Sequence, residues 1–510
     1  MKKFLALITL TLTIFIARAQ QNKLLEQSFW QNSPDVEEVK AAIAEGSNPA
    51  QLNAMSFDPV VLAINAQAPN ETIKFLLTQP GNEVTKLTHD GRIYLHWAAY
   101  RGNAEIVDLL LSKGSKFDLA DSHGTTPLLF AASAGQQNTK IYDLFVAKGV
   151  NLSKEISPEG ANALLLAISG DKELTLTNYF ISKGLDLKST DAAGNNAFSY
   201  AARSGNIELL KTLLEKGVKP NANAMLMAAQ GGGRRGGPGI GLPVFEYLES
   251  VGIKPTATSK TSENVLHYIV RKPNQTEIIQ YFLSKGVDVN QADSEGNTVL
   301  MNAAAANRDT AVIGMLAAKV KNINKANQSG NTALAFAMRS NSPEIVSYLI
   351  SKGADVKILD KKGNNLAFYL IESYRPQGGR GTGGPGEGAG SGPKRDDFTA
   401  KLDLLKEKGL NVTVPQKDGN TLYHLAIAKN DISLLKRLQP MGIDINAKNN
   451  EGLTALHKAA LIAKDDTIMK YLISIGAQKE SVTNFKETAF DLATENESLS
   501  KNKVSVNFLK

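Results

Sequence analysis

Two apolar phrases alternate along most of the chain. The shorter opens on a turn-former and runs into small residues: T-P-L-L-F-A-A at Thr126–Ala132, T-A-L-A-F-A-M at Thr332–Met338 and T-A-L-H-K-A-A at Thr454–Ala460. About a dozen residues on comes the longer phrase. It reads E-I-V-D-L-L-L-S-K-G at Glu105–Gly114, E-I-I-Q-Y-F-L-S-K-G at Glu277–Gly286 and E-I-V-S-Y-L-I-S-K-G at Glu344–Gly353. Their apolar positions recur at helical spacing, so each couple of phrases predicts a pair of helices. Thr126 is expected to cap the first helix, its hydroxyl accepting from an orphan backbone N–H, and Pro127 stands where a missing N–H costs nothing. Leu128 points inward, and Ala131 and Ala132 are small enough for close helix approach. In the second helix Ile106, Val107, Leu109, Leu110 and Leu111 form a broad apolar face. Gly114 is placed to stop it in the left-handed conformation. Equivalent glycines stand at 149, 184, 217, 286, 353, 409, 442 and 476. V-D-V-N (Val287–Asn290) and I-D-I-N (Ile443–Asn446) then extend toward the next turn.

A second set of glycines, at 91, 124, 160, 194, 296, 330, 363, 419 and 452, keeps a period of 33 to 36 residues over most of its length. Phrase, period and caps together resemble the ankyrin repeat family, whose unit is a helix pair with a projecting hairpin. The resemblance implies an all-α solenoid of about thirteen units, counted by second helices from Val36 to Gly476, with a first-helix remnant at Thr488–Thr494. No unit of this kind buries enough apolar surface alone, so stacking makes the core. The match thins at Leu24–Gly46 and in the polar tail after Glu495, as expected of caps. The ninth unit carries Val320 in place of the stop glycine, so its second helix is expected to end irregularly.

The first residues depart from the pattern. Lys2 and Lys3, an apolar run from Phe4 to Ile16 and the small-x-small site Ala17-Arg18-Ala19 have the layout of a signal peptide, residues 1–19, with the repeat array occupying 20–510. Thirteen apolar residues are too few to cross a hydrocarbon core of about 30 Å. The expectation is export, to the periplasm before the wider exterior, with no transmembrane segment in the mature chain. Losing Lys2, Lys3 and Arg18 lowers the formal charge from +7 to +4 over 491 residues, which gives no global case for nucleic-acid binding. The chain has no cysteine, which excludes disulfides, thiol nucleophiles and thiolate metal sites.

Candidate chemistry is sparse. His96, His267, His424 and His457 share one slot of the first phrase but lie in different repeats, without the i, i+4 spacing of a helical zinc site. The resemblance implies that this slot serves structural hydrogen bonding. His89 and His123 sit beside turn-glycines, where they would meet solvent or a partner rather than a metal. No nucleophile elbow or phosphate-loop lysine occurs, no acid/base pair can be localised, and neither a catalytic residue, a metal site nor a cofactor is expected.

Contacts for a partner are more legible. Two glycine-rich insertions, about 231–242 and 375–397, interrupt the seventh and eleventh units between their helices. They carry Arg234, Arg235, Arg375 and Arg380 with almost no carboxylate, and read either as tolerated loops or as basic contact arms. Just after the first-helix phrase come Tyr100-Arg101, Arg203, Arg271-Lys272, Arg339 and Lys429, a position that the resemblance places on a concave groove. Such a row would attract an acidic surface, or else is a solvated helix face. The aromatics Trp97, Phe130, Tyr200, Tyr268, Phe336 and Tyr369 precede the small pair and read as core. The expected function is a non-enzymatic scaffold holding another protein through hairpin tips and groove. The alternative is a polyanion (polysaccharide, nucleic acid or anionic lipid) held by the Gly/Arg segments.

Overall fold

The computed structural model describes residues 22–232, 240–375 and 397–510. The proposed signal peptide, Arg234, Arg235, Arg380 and most of both glycine-rich insertions lie outside the described residues. The chain divides into two compact units, 1–221 and 222–510.

Each unit is a succession of helix pairs, and the described residues hold 28 α-helices and no β-strand. The first unit contains six pairs, from Gln27–Gln31 with Val36–Ala44 to Ala197–Ala202 with Ile207–Glu215. In the second, seven pairs run from Asn223–Gln230 with Leu242–Ser250 to Ala455–Ile462 with Thr467–Ser474. That makes thirteen second helices ending by Gly476, as the repeat count anticipates. The remnant forms Ala489–Glu495, followed by the five-residue helix Glu497–Lys501, whose Leu499 is buried. The insertions fall between the helices of their pairs, after Asn223–Gln230 and after Leu366–Ser373.

Local chemistry explains the ends. Thr126 Oγ1 accepts from the Leu129 N–H, and Pro127 occupies the first helical position. Gly114 has φ +82°, and every one of the nine stop glycines has positive φ. Val320 does not, and its pair ends with the Lys319 and Val320 N–H groups both turned back to Leu316 O. Leu128, Ala131, Ala132, Ile106, Val107, Leu110 and Leu111 are buried, whereas Leu109 is only half-buried, at the edge of the apolar face.

Within each unit, successive first helices pack together: Val299–Ala306 lies on Ala333–Ser340, and Tyr94–Arg101 on Pro127–Ser133. Their alanines make this close approach possible. The hairpins are joined by a backbone ladder from one tip to the next. Ser122 N donates to Asp90 O at 2.8 Å in the first unit. In the second, Ser294 N donates to Thr261 O (2.8 Å), Gln328 N to Glu295 O (2.9 Å) and Lys361 N to Ser329 O (3.0 Å). Gly330, at φ +86°, lies so near this ladder that a Cβ there would stand 2.5 Å from Lys361 N. The V-D-V-N asparagines add a second tie. Asn290 Nδ2 donates to Lys319 O while its Oδ1 accepts from Lys321 N, and Asn446 repeats this with Gly476 and Gln478.

Candidate docking face and cationic cavity

The four first-helix histidines are structural. Nδ1 of each accepts the backbone N–H of the residue three before it: Ile93 for His96, Asn264 for His267, Thr421 for His424 and Thr454 for His457. Nε2 of His96, His424 and His457 reaches the next hairpin, at Thr125 O, Leu453 O and Ser481 O. An Nδ1 that accepts and an Nε2 that donates define the neutral imidazole. Burial keeps it neutral, lowering the His96 pKa to about 4 and those of the other three below the ordinary value. The aromatic slot is buried or half-buried and also latches the hairpins. Trp97 Nε1 donates to Thr88 Oγ1, and the Tyr200 and Tyr369 hydroxyls donate to Asp191 and Asp360, each nine residues back. At the tips of the first unit, Arg92 bridges Asp90 and Asp121 on successive hairpins at 3.0 and 2.8 Å. His89 and His123 each stand 3.4 Å from Asp90. Among the described residues no group of three or more histidine, aspartate or glutamate side chains is placed to hold a metal ion.

The row of groove cations divides into three fates. In the first unit, Tyr100 and Arg101 end the helix Tyr94–Arg101. The Tyr100 ring stacks on Phe130 (centroids 5.1 Å apart), its carbonyl accepts from Gln136 Nε2, and the Arg101 guanidinium lies 5.7 Å from the Tyr100 centroid. Arg203 is exposed. In the second unit Arg271 is exposed but Lys272 is not free for a partner: its ammonium donates to Ala229 O (2.6 Å) and Gly231 O, capping the previous first helix. Lys429 does the same to Glu372 O. Both lysines play the part that asparagine plays elsewhere. Asn307 Nδ2 donates to Val270 O, and Asn341 Nδ2 to Ala304 O and Asn307 O.

Arg339 and Arg375 have a third fate. They line one cavity of about 280 Å³ together with Arg308, Lys401 and Arg437, which the sequence pattern did not single out. Four consecutive helix pairs supply these five cations, and among the described residues the lining includes one carboxylate, Asp397. Lys401 is 5% exposed. Its ammonium donates to Met338 O at 3.1 Å, and burial together with Arg308 holds its pKa below the ordinary lysine range despite nearby Asp397. The Arg437 guanidinium lies 5.9 Å from both the Tyr374 and the Phe398 ring centroids, an edge-to-face pair. One sequence signal did point here. Counting back from the stop glycines, Lys401 stands in the slot of Ile106, Ile278 and Ile345, all buried.

The exposed apolar residues form their own pattern. Leu87, Ile156 and Leu359 each lie four residues before a tip glycine and are 59%, 54% and 54% exposed. Val482 holds the corresponding place before Lys486, a tip residue at φ +65°. Val414 (51%) and Phe485 (83%) lie on hairpins of the second unit as well, Val414 on the one following Leu359.

Paired helices stacked through first-helix alanines, with hairpins laddered tip to tip, define an ankyrin-type solenoid. The chain belongs to the ankyrin repeat family, whose three-copy model matches residues 60–155, 138–224, 266–360 and 399–506. Among curated relatives, 143 residues are 24% identical to the phosphocholine transferase AnkX of Legionella pneumophila, covering 26% of this chain and 13% of that protein. A stretch of 79 residues is 38% identical to mouse protein phosphatase 1 regulatory subunit 12A (16% and 8% of the two chains). Another, of 101 residues, is 36% identical to the chicken nuclear factor NF-kappa-B p105 subunit (19% and 10%). The chain thus spans 8 to 13% of the length of these relatives. Among the described residues no helix is long and apolar enough to cross a membrane.

Proposed function

We propose that this chain is an exported, non-enzymatic scaffold that holds another protein through its hairpins. The observation that carries the reading is the recurrence of large, exposed apolar side chains at one hairpin slot, Leu87, Ile156, Leu359 and Val482. An isolated exposed apolar residue needs no explanation, but the same slot filled twice in each unit offers anchors for a partner surface. The exposed Arg203, Arg271 and Arg339 would bias encounter toward an acidic partner. Two of the relatives are by name subunits of larger assemblies, which favours a protein partner. The charged start, apolar run and small-x-small site of residues 1–19 favour export.

With a partner in hand, Leu359→Asp together with Val414→Asp is expected to weaken binding at least ~10-fold, about 1.4 kcal/mol, without changing the melting temperature. Isothermal titration reads the affinity. An unchanged Kd would remove the hairpin reading. If affinity instead fell on replacing Arg234, Arg235 and Arg380 by glutamine, and fell steeply with salt, the binding would belong to the Gly/Arg segments and to a polyanion.

A further inference from the structure

We propose that a cavity in the first unit, between residues 53–57 and the first helices Gln27–Gln31 and Pro59–Ala66, binds a single carboxylate carried on an aromatic body. Arg101, Leu62, Phe57 and Gln67 define it, and the inference does not depend on the hairpin reading.

A missing ring makes the space. Four residues past the helix cap, Trp97, Phe130 and Tyr200 fill the aromatic slot in three sibling pairs of this unit, whereas Leu62 stands there in the pair capped by Asp58. The rings form a row: Trp97 meets Phe130 edge-to-face at 5.8 Å, and Phe57 meets Trp97 at 5.5 Å. At Leu62 the row lacks its ring, and a cavity of about 620 Å³ opens there, walled in part by Trp30, Phe57 and Leu62. Pockets for small ligands run to about 300–1,000 Å³. An aryl group in this one continues the row, since aromatic pairs are favourable at centroid separations of about 4.5–7 Å.

Arg101 supplies the charge. Elsewhere in the unit cations sit against carboxylates, as in Lys74–Glu105 at 2.5 Å and Lys183–Asp143 at 2.7 Å. Arg101 lines the cavity half-buried, and its Nε is enclosed without a hydrogen-bond acceptor. Among the described residues no carboxylate pairs with its guanidinium, which lies against the Tyr100 ring. The undescribed residues 1–21, next along the chain from the wall at Leu25, contain neither aspartate nor glutamate and so hold no counterion for it. A buried N–H left unpaired is costly. A ligand carboxylate removes that cost, accepting from the planar fork through paired N–H···O bonds.

Gln67 is a third, independent sign. It ends the helix Pro59–Ala66 at φ +56°, the place that Gly102, Gly135 and Gly205 hold in sibling pairs at +71°, +70° and +70°. Glycine takes this left-handed conformation freely, whereas a side chain there is strained. The strained residue lines the cavity with an exposed amide, which can orient a ligand beside the guanidinium. One cation among uncharged amides matches one negative charge, and the aromatic row matches the body that carries it.

The test is isothermal titration of the full chain with hydrocinnamate, its neutral amide hydrocinnamide, and acetate. Hydrocinnamate is expected to bind with a Kd at or below ~1 mM, and the amide and acetate at least ~10-fold more weakly. Arg101→Gln should weaken hydrocinnamate at least ~10-fold. Leu62→Phe, which returns the ring to its slot, should abolish binding without lowering the melting temperature. Arg203→Gln, an exposed cation of the same unit, should leave it intact. A tripeptide ending in phenylalanine with a free carboxylate separates the sources: binding tighter than hydrocinnamate assigns a chain terminus, and no gain assigns a free acid. Equal binding of the amide and the acid overturns the proposal. So does no binding of either hydrocinnamate or the peptide, or binding that survives both Arg101→Gln and Leu62→Phe.

Discussion

Acidification from pH 7 to pH 5 is expected to cost this protein at least about 2 kcal/mol of folding stability through its buried histidines. His96 is fully buried, its Nδ1 accepting from Ile93 N and its Nε2 held at Thr125 O, with Asp121 and Arg92 the nearest charges. Its pKa in the fold lies at about 4, against an ordinary 6.5. A base whose folded pKa is depressed takes up its proton more readily when unfolded. Its stabilisation is therefore complete above about pH 6.5 and drains away as the pH falls toward 4. At pH 5 the loss from His96 alone is on the order of 2 kcal/mol. His267, His424 and His457 shift the same way for the same reason, desolvation, and add to it. Carboxylates whose pKa the fold lowers, among them Asp121 and Asp360, also lose stability on acidification, but at lower pH. Their contribution is lost only as the pH drops through and below their ordinary range near 4, so the window from pH 6.5 to 5 isolates the imidazoles. Urea unfolding at pH 7, 6 and 5 measures the slope, and His96→Gln should flatten it. A stability independent of pH across that window would mean that the histidines are not held neutral.

The second large effect is expected at Asp58, in the first unit. Its carboxylate is completely buried, accepts from Lys86 Nζ at 2.7 Å and from the Tyr94 hydroxyl at 2.5 Å, and caps the helix Pro59–Ala66 through Val61 N at 2.9 Å. Burial and Asp58 together raise the Tyr94 pKa, so the phenol stays a donor. Asp58→Ala leaves the ammonium and the phenol without their shared acceptor and removes a cap, a cost of about 3–5 kcal/mol. Removing the partners as well, with Lys86→Met and Tyr94→Phe added to Asp58→Ala, should recover part of the loss, because no charge is then left buried without its counterion. Denaturant unfolding of the three chains decides it. A loss below about 1 kcal/mol for Asp58→Ala would show that Asn82 Oδ1, which also accepts from both Lys86 and Tyr94, suffices alone.

What could be read from the sequence was what repeats. Thr126, Pro127, Gly114 and the four histidines each answer to a local rule, the cap, the fixed φ, the left-handed stop or the hydrogen-bonding slot, and nine stop glycines made the period plain. Departures from the repeat were harder. Lys272 and Arg271 are neighbours in one motif, yet one caps the helix of the preceding pair and the other faces solvent, because only Lys272 lies over the free carbonyls of Ala229 and Gly231. Arg308, Arg339, Arg375, Lys401 and Arg437 fall at unrelated places in their own pairs, and only stacking in the second unit brings them together. Lys401 was nonetheless visible in principle, as a cation standing where the phrase calls for isoleucine. Asp58 and Lys86 flank the second helix pair, whose leading hairpin tip has no glycine and carries Ser56 as its left-handed residue, so the phrase gave no register for them.

The most direct measurement places a photoreactive amino acid at Leu359 or Phe485, on hairpins, and at Glu277 or Lys436, on exposed faces of second helices, and irradiates each chain in the cells that produce it. Adducts from both hairpin positions to one and the same protein, with none from the helix positions, are the predicted result. Adducts formed equally from the helix faces, or only to a polysaccharide or nucleic acid, would contradict it.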